Sequence, residues 1–162
     1  MDSRVKEHSL RDSMGKLAGD FESALDIGAG IRPILRHDPR VLCVEPSPVY
    51  AEILEADGNR VWPVNAETAV IGKTFPDVIF MLDVIEHMDK ETGARVLELT
   101  KEDAQKMVIV LTPKGFRKQE IDEWGLGQEE FQKHRSGWNL DDFPGWLAEE
   151  YMGQYLLAVY TR

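Results

Sequence analysis

Short apolar runs alternate with stretches of mixed polarity along most of the chain. Runs of apolar residues that end at Gly, Pro or Asn are typical of strands. They predict six strands, at residues 23–27, 40–46, 59–67, 76–87, 106–115 and 154–162. The third is the weakest, and the continuous apolar run within the fourth predicts a buried central strand.

The stretches beside and between these strands carry helix signals. They predict helices at residues 3–19, 47–58, 90–105 and 139–151, the last one bent at Pro144. Ser47 and Pro48 suit the N-cap and the first position of the second helix. Pro33 likewise suits the first turn of a further helix after the first strand.

Strands that alternate with helices in this order predict parallel pairing through right-handed crossovers. We therefore expect a single α/β, Rossmann-like domain over residues 1–162, as the chain length allows. Its sheet is expected to be open, twisted and mostly parallel, with helices on both faces and an antiparallel C-terminal strand. Residues 1–20 are expected to hold an N-terminal helix, and the polar, aromatic residues 116–137 form an insert after the fifth strand.

The residues that follow the predicted strands are the candidate binding residues. Ligands of an open parallel sheet bind beyond the carboxyl ends of the strands, where the strand order reverses. The positions concerned are residues 26–32, Glu45, Asn65, residues 83–87 and residues 112–114. They bring glycines, carboxylates, an amide and a histidine to one edge of the sheet.

The loop after the first strand reads D-I-G-A-G-I-R-P. Gly28 and Gly30 allow the backbone to turn sharply and a ligand to come close. A dinucleotide-binding loop would carry a third glycine where Pro33 stands, so this loop argues against NAD or FAD. Glu45 follows Gly28 by 17 residues, near the spacing at which a carboxylate reaches ribose hydroxyls. The alternative for Glu45 is a solvated carboxylate before a turn.

Four stretches carry a resemblance to a known family. They are LDIGAGIRP, VEPSP, VNAE and DVIFMLDVIEH, within residues 23–115. In this order they resemble class I methyltransferases that use S-adenosylmethionine. The DVIEH stretch is similar to the branch that includes ubiquinone-biosynthesis enzymes (methyltransferase types 11 and 12). The resemblance implies S-adenosylmethionine (S-adenosyl-L-methionine) as the cofactor and methyl transfer as the reaction.

The resemblance also implies a cofactor site built from strand-end residues. These residues are Asp26, Gly28, Ala29, Gly30, Glu45, Pro46, Asn65, Ala66, Asp83 and Val84. The glycine loop would lie beside the methionine part of the cofactor, and Glu45 would hold the ribose hydroxyls. Asn65 would face the adenine amino group, where the family often has an aspartate. Asp83 and Val84 would line the methionine end.

Methyl transfer from a sulfonium is an in-line displacement, so the protein chiefly aligns the acceptor and excludes water. A general base helps when the acceptor is a hydroxyl, and His87 and His134 are the candidate catalytic bases. His87 alternatively orients its loop. The insert 116–137 is expected to form a substrate lid, with Arg135 and Trp138 binding the acceptor. Trp138 and Trp124 alternatively pack the loop.

Composition narrows the partners and the setting. The formal net charge of −10 opposes tight contact with nucleic acid or an anionic membrane, which favours a small-molecule acceptor. Cys43 is the single cysteine, so no intramolecular disulfide can form. The sequence shows neither a signal peptide nor an apolar run of roughly 20 residues. Together with the single cysteine, these features predict a cytoplasmic protein without a membrane span. The histidines and Cys43 show no ligand spacing, so no metal site is expected.

The sequence therefore predicts S-adenosylmethionine-dependent methyl transfer to a small-molecule acceptor, at an oxygen, nitrogen or carbon atom. The alternative is a non-catalytic cofactor-binding or regulatory subunit that keeps the same fold. The short chain leaves room for closure of the acceptor site by a homo-oligomer or by a partner subunit.

Overall fold

The computed structural model describes the backbone of residues 3–162 and the side chains from residue 10 onward. The helices are α1 Ser3–Leu17, α2 Pro48–Ala56, α3 Ala66–Ile71, α4 Lys90–Asp103 and α5 Glu129–Gln132. The strands are β1 Ala24–Ile27, β2 Val41–Val44, β3 Arg60–Trp62, β4 Val78–Leu82, β5 Met107–Pro113, β6 Leu147–Tyr151 and β7 Tyr155–Thr161. Single turns of 3₁₀ helix occur at Ile85–His87 and Leu140–Asp142.

The strands form one twisted sheet in the order β3-β2-β1-β4-β5-β7-β6. The pairs from β3 to β5 are parallel, and β7 is antiparallel to both β5 and β6. The predicted fold class, an open and mostly parallel Rossmann-like sheet that ends antiparallel, is therefore confirmed. The chain leaves β1 toward β2 on one side and reaches β4 on the other, so the strand order reverses at β1.

Register brings the carboxyl ends of the central strands together at this reversal. Ile27, the last residue of β1, pairs with Val44 of β2 and with Met81 of β4. The residues that follow these strands therefore emerge side by side at one edge of the sheet. That edge is where the sequence predicts the ligand.

Both faces of the sheet are covered, which explains why β4 and β5 are apolar throughout. Successive side chains of a strand point to opposite faces. In β4, Ile79 and Met81 pack into one cluster with α3 and α4, whereas Phe80 and Leu82 pack into a second cluster with α1. Cys43 is buried in a third, smaller cluster.

Three segments differ from the sequence prediction. No helix starts at Pro33, because residues 28–40 cross from β1 to β2 as an irregular loop. The loop is held from below by Asp26, whose Oδ2 accepts the N–H of Ile34 at 2.7 Å.

The second difference is α3, a six-residue helix that the sequence pattern did not predict. The third is residues 139–151, where a 3₁₀ turn and β6 replace the predicted bent helix. Gly145 between them adopts a positive φ of 81°, and β6 then completes its hydrogen bonds with β7. Tertiary pairing therefore overrides the local helical pattern there.

No helix among the described residues has both the length and the apolar character needed to cross a bilayer.

Candidate active site

Two adjoining cavities open at the carboxyl edge of the sheet. The first, of about 200 Å³, is lined by the glycine loop and the ends of β2, β3 and β4. The second, of about 600 Å³, lies toward α1 and the insert 116–137. Both share the walls formed by Gly28, Asp83, His87, Trp124 and Gln132. After the ligands that the sequence predicts, we call them the cofactor-side cavity and the acceptor-side cavity.

The glycine loop forms the floor of the cofactor-side cavity. Gly28 and Gly30 have φ values of 69° and 60°, which L side chains rarely adopt. A Cβ atom on Gly28 would lie 2.6 Å from the Val84 side chain, and one on Gly30 would lie 2.1 Å from the Trp124 ring. Glycine is therefore required at both positions by conformation and by space.

Asp26 and Ala29 support this loop from below and do not line either cavity. Asp26 is fully buried, and burial raises the pKa of its carboxyl to about 6, partly offset by the Arg11 guanidinium and the Ile34 N–H. Ala29 is buried in the cluster that contains Cys43. Asp26 and Ala29 are both among the predicted cofactor-binding residues, and in this structure they lie beneath the loop and hold its shape.

Glu45 lies at the end of β2 and lines the cofactor-side cavity together with Pro46. Its Oε2 accepts the N–H of Gly30 at 2.8 Å, and its Oε1 accepts the N–H of Ser47 at 2.9 Å. The side chain is only 4% exposed, and burial raises the pKa of the carboxyl to about 7. The alternative of a solvated carboxylate does not apply, because Glu45 is buried and fixed in orientation.

Asn65 and Ala66 line the same cavity from the end of β3. The Oδ1 of Asn65 accepts the N–H of Thr68 at 2.8 Å and so caps α3. Ser47 caps α2 in the same way and confirms the predicted N-cap.

Asp83 and Val84 close the cavity from the end of β4. Asp83 has a φ of 56°, a strained value for a residue with a side chain. Its N–H donates to the carbonyl of Leu111 at 2.8 Å, which continues the β4–β5 ladder by one residue. The sharp turn that follows brings the 3₁₀ segment Ile85–His87 to the acceptor-side cavity.

Trp124, from the insert, stands between the two cavities. Its ring lies over Gly30 and makes an edge contact with Tyr50, with the ring centroids 4.9 Å apart. The carboxylate of Asp122 accepts the N–H groups of Trp124, Leu126 and Gln128 at 2.8, 2.8 and 3.1 Å. Of the two alternatives for Trp124, the structure favours the one in which it closes a pocket.

The two candidate bases meet at the acceptor-side cavity. The ring centroids of His87 and His134 are 4.9 Å apart. His87 Nδ1 lies 3.3 Å from the carbonyl oxygen of Lys133, and His134 Nδ1 lies 2.7 Å from that of Arg117. Burial lowers the pKa of both imidazoles, so both are neutral at pH 7.

Glu86 lies beside the two histidines and is almost completely buried, with 2% exposure. Its Oε2 accepts the Thr112 hydroxyl at 2.9 Å, while its Oε1 has no hydrogen-bond partner among the described residues. Burial raises the pKa of this carboxyl to about 7. The Glu86 carbonyl also accepts the N–H groups of Arg135 and Ser136, which ties the end of the insert to the end of β4.

Trp138 and Arg135 line neither cavity, and for Trp138 the structure favours the alternative in which it packs. Trp138 is 1% exposed and packs in the core, where its Nε1 donates to the Ser136 hydroxyl at 2.9 Å. A Cβ on Gly93 would lie 2.6 Å from its ring, so helix α4 needs glycine there. Arg135 instead donates to the Glu130 side chain at 3.0 Å near the surface.

Sequence reasoning did not single out Tyr50 as a cavity residue or Glu86 as part of the histidine cluster. Tyr50 lies on α2, two residues after the helix start, and only the return of the insert brings Trp124 against it. Glu86 lies four residues after the end of β4, within the residues 83–87 that the sequence marks as candidate binding residues.

No protein-family model matches this chain, and no curated protein matches it by sequence. Solved structures do match. An S-adenosylmethionine-dependent methyltransferase from Archaeoglobus fulgidus is 12% identical, with 99% of this chain and 95% of that chain covered and a TM-score of 0.74. The fold is that of the class I methyltransferases.

Two further solved structures share this fold. The protein PH0226 from Pyrococcus horikoshii is 14% identical over 98% of this chain and 90% of its own, with a TM-score of 0.72. Magnesium protoporphyrin IX methyltransferase from Synechocystis, solved with S-adenosylmethionine bound, is 12% identical over 99% of this chain and 82% of its own, with a TM-score of 0.69. At these identities the likeness establishes the class I methyltransferase fold, and the ubiquinone-type branch stays a prediction.

Proposed function

We propose that this chain transfers a methyl group from S-adenosylmethionine to a small-molecule acceptor. The observation that carries the proposal is Glu45, which is buried and fixed beside Gly28 and Gly30 at the reversal of the strand order. The Synechocystis structures with S-adenosylmethionine and with its demethylated product give independent support through the shared fold.

The geometry of Glu45 suits a ribose diol. An ionised carboxylate offers about four lone-pair sites. The N–H groups of Gly30 and Ser47 use one site on each oxygen, so each oxygen keeps one site for a hydroxyl donor. Two hydroxyls on adjacent carbons match this pair of acceptors, and hydrogen bonds to a charged group are the stronger kind.

The remaining cofactor-side residues suit the other parts of the molecule. The apolar wall of Pro46 and Ala66 is available to an adenine ring, with Asn65 Oδ1 as an uncharged acceptor. Val84 lies against Gly28, and Asp83 leads from there to the acceptor-side cavity. The methionine end of the cofactor would therefore lie where the two cavities adjoin.

We also propose that the insert 116–137 acts as a lid. The cofactor-side cavity of about 200 Å³ is smaller than the roughly 300–1,000 Å³ typical of ligand sites. Trp124 occupies the boundary, and Ser47 Oγ contacts Gln128 Oε1 at 2.8 Å across the cleft. Displacement of this segment would join the two cavities into one space.

S-Adenosylmethionine, when bound, supplies an electrophilic methyl group on a positively charged sulfur. The chain aligns the acceptor with that group and keeps water out. When no metal ion is bound to them, His87 and His134 are our candidates for taking a proton from a hydroxyl acceptor. Their Nδ1 atoms face backbone carbonyls, so each imidazole keeps its Nε2 as the proton acceptor.

The net charge of −10 and the size of the acceptor-side cavity favour a small acceptor over a nucleic acid.

A turnover assay tests the proposed methyl transfer. S-Adenosylmethionine labelled in the methyl group is incubated with the protein and a panel of hydroxyl, amine and carbon-acid acceptors, and both the labelled acceptor and the release of S-adenosylhomocysteine are measured. Release above the acceptor-free rate supports methyl transfer. Micromolar cofactor binding without release from any acceptor would favour the non-catalytic subunit, and no binding would refute both.

A further inference from the structure

We propose that Glu86, His87 and His134 bind a divalent transition-metal ion at the acceptor-side cavity. One potential ligand atom from each residue lies within 4.8 Å of the others. Two imidazoles and one carboxylate form a donor set that proteins use for zinc and other first-row metals. Spacing along the sequence did not predict this set, because His134 reaches it through the fold of the insert.

The backbone holds both imidazoles in the form that binds metals. A carbonyl oxygen can only accept, so the Nδ1 atoms that face the carbonyls of Lys133 and Arg117 carry the protons. Each Nε2 atom then keeps its lone pair. A metal-bound histidine commonly donates its other ring N–H to a carbonyl or carboxylate, which fixes the ring orientation.

Glu86 provides a second, independent indication of a cation. The side chain is 2% exposed, and its Oε1 has no partner among the residues that the structure describes. A buried polar atom without a partner is costly, since it has lost its water and gained nothing in return. A metal ion bound to Glu86 supplies the missing interaction, and the Thr112 hydroxyl holds the other oxygen in place.

The donor atoms, rather than the charges around the cavity, favour a transition metal over magnesium or calcium. Among the described residues, its walls carry three acidic groups, Asp83, Glu86 and Glu123, and three basic groups, Arg11, Arg117 and Lys118. A hard cation held by charge and oxygen ligands gains little from this balance. The two imidazole donors instead select ions that bind nitrogen well.

Three protein ligands leave coordination positions open for an acceptor. This part rests on the proposed methyl transfer, and it identifies the acceptor as a molecule with a hydroxyl group. A hydroxyl in an open position loses its proton to solvent more easily. Its oxygen then forms a bond to the methyl carbon, the carbon–sulfur bond breaks, and the electron pair remains on sulfur as a neutral thioether. The oxidation state of the metal ion does not change.

The test is a metal titration of the full chain after removal of metal by a chelator. We expect one Zn²⁺ per chain, bound at least 100-fold more tightly than Mg²⁺, measured by competition with a chromophoric chelator. His134→Ala and Glu86→Gln should each weaken Zn²⁺ binding by at least tenfold. His37→Ala should have no effect, because its side chain is 57% exposed and lies outside the cluster. Equal Zn²⁺ affinity in the wild type and His134→Ala would overturn the proposal.

A spectroscopic measurement keeps the proposal testable if Glu86→Gln does not fold. Co²⁺ bound through Glu86 and two imidazoles should show visible absorption bands that disappear in His87→Ala. A Co²⁺ spectrum unchanged by that substitution would contradict the site. Cofactor binding to the metal-free protein is measured separately. Cofactor binding without Zn²⁺ binding refutes the metal site alone, and Zn²⁺ binding without cofactor binding refutes the methyl transfer alone.

Discussion

The cofactor side and the acceptor side of the cleft are built in different ways. On the cofactor side, the glycine loop, Glu45 and Asp83 follow the ends of β1, β2 and β4, and strand register sets their positions. The N–H of Gly28, for example, donates to the carbonyl of Val44 at 2.8 Å and extends the β1–β2 ladder. On the acceptor side, His134 and its neighbours come from an irregular insert that crosses the edge of the sheet.

The insert is held by a small number of contacts with distant residues. The N–H of Arg135 donates to the carbonyl of Glu86 at 2.7 Å, and the Ser47 hydroxyl donates to Gln128 Oε1 at 2.8 Å. Segments with few such contacts open at a lower free energy than a central sheet. The comparison predicts that the cofactor side is rigid and that the acceptor side is adaptable.

The largest expected effect concerns Trp138, which anchors the end of the insert to the core. Trp138→Ala should lower the free energy of unfolding by about 3–5 kcal/mol, the usual range for a buried tryptophan. Urea denaturation followed by circular dichroism measures it. Trp138→Phe keeps an aromatic ring but loses the hydrogen bond to Ser136, so it should cost less than half as much. Equal losses for both variants would contradict the anchoring role.

The second prediction tests the rigid side. Glu45→Ala should weaken S-adenosylmethionine binding by about 3 kcal/mol, or roughly 100-fold, because two hydrogen bonds to a charged group are lost. Calorimetry measures the affinity, and the melting temperature serves as the control for folding. Glu45→Gln, which keeps the shape and one acceptor oxygen, should lose less. A change of under threefold in Glu45→Ala would place the ribose elsewhere.

The third prediction follows from the pKa of Glu45, which burial raises to about 7. The diol needs the ionised carboxylate, so cofactor affinity should fall up to tenfold for each pH unit below 7. The stability of the free protein should change in the opposite direction. Glu45 binds a proton more tightly when folded, so its contribution to stability is full below pH 4.5 and is lost as the pH rises through 7.

Calorimetric titrations between pH 5.5 and 8, with urea denaturation over the same range, measure both trends. Glu45→Gln removes one titrating group, so both the affinity and the stability should depend less steeply on pH, while Asp26 and Glu86 still contribute to the stability curve. An affinity that does not depend on pH in the wild type would show that the carboxylate of Glu45 does not hold the diol.

The smallest expected effect concerns Trp124, which separates the two cavities. Trp124→Ala removes the ring over Gly30, so the cofactor should both bind and dissociate several-fold faster, with a smaller change in affinity. Stopped-flow fluorescence of a cofactor analogue measures the rates. Trp146→Phe, in the core between Phe143 and Tyr160, serves as the control. Unchanged rates in Trp124→Ala would mean that the insert is not a lid.

The same comparison explains how much the sequence could predict. Gly28, Glu45 and Asp83 were predictable because apolar runs mark the strands, and parallel strands direct their carboxyl ends to one edge. The α2 boundary was predictable because the Ser47 hydroxyl satisfies a backbone N–H that the helix leaves unpaired.

The acceptor side was not predictable in the same way. Neither strand nor helix periodicity predicts where an irregular insert returns to the sheet. The contact between His87 and His134 therefore could not be predicted from the sequence. Trp138 is a position at which the sequence left two alternatives open. It stands in a polar stretch that looks like an exposed loop, yet Gly93 and Phe143 form a buried site for it. β6 likewise forms only because β7 provides a partner.

The most direct test of the central claim is a crystal structure with S-adenosylhomocysteine bound. We expect both ribose hydroxyls to donate to the Glu45 carboxylate and the sulfur atom to lie near Gly28 and Asp83, facing the cavity that holds His87 and His134. A ribose bound away from Glu45, or a sulfur directed away from that cavity, would contradict the account.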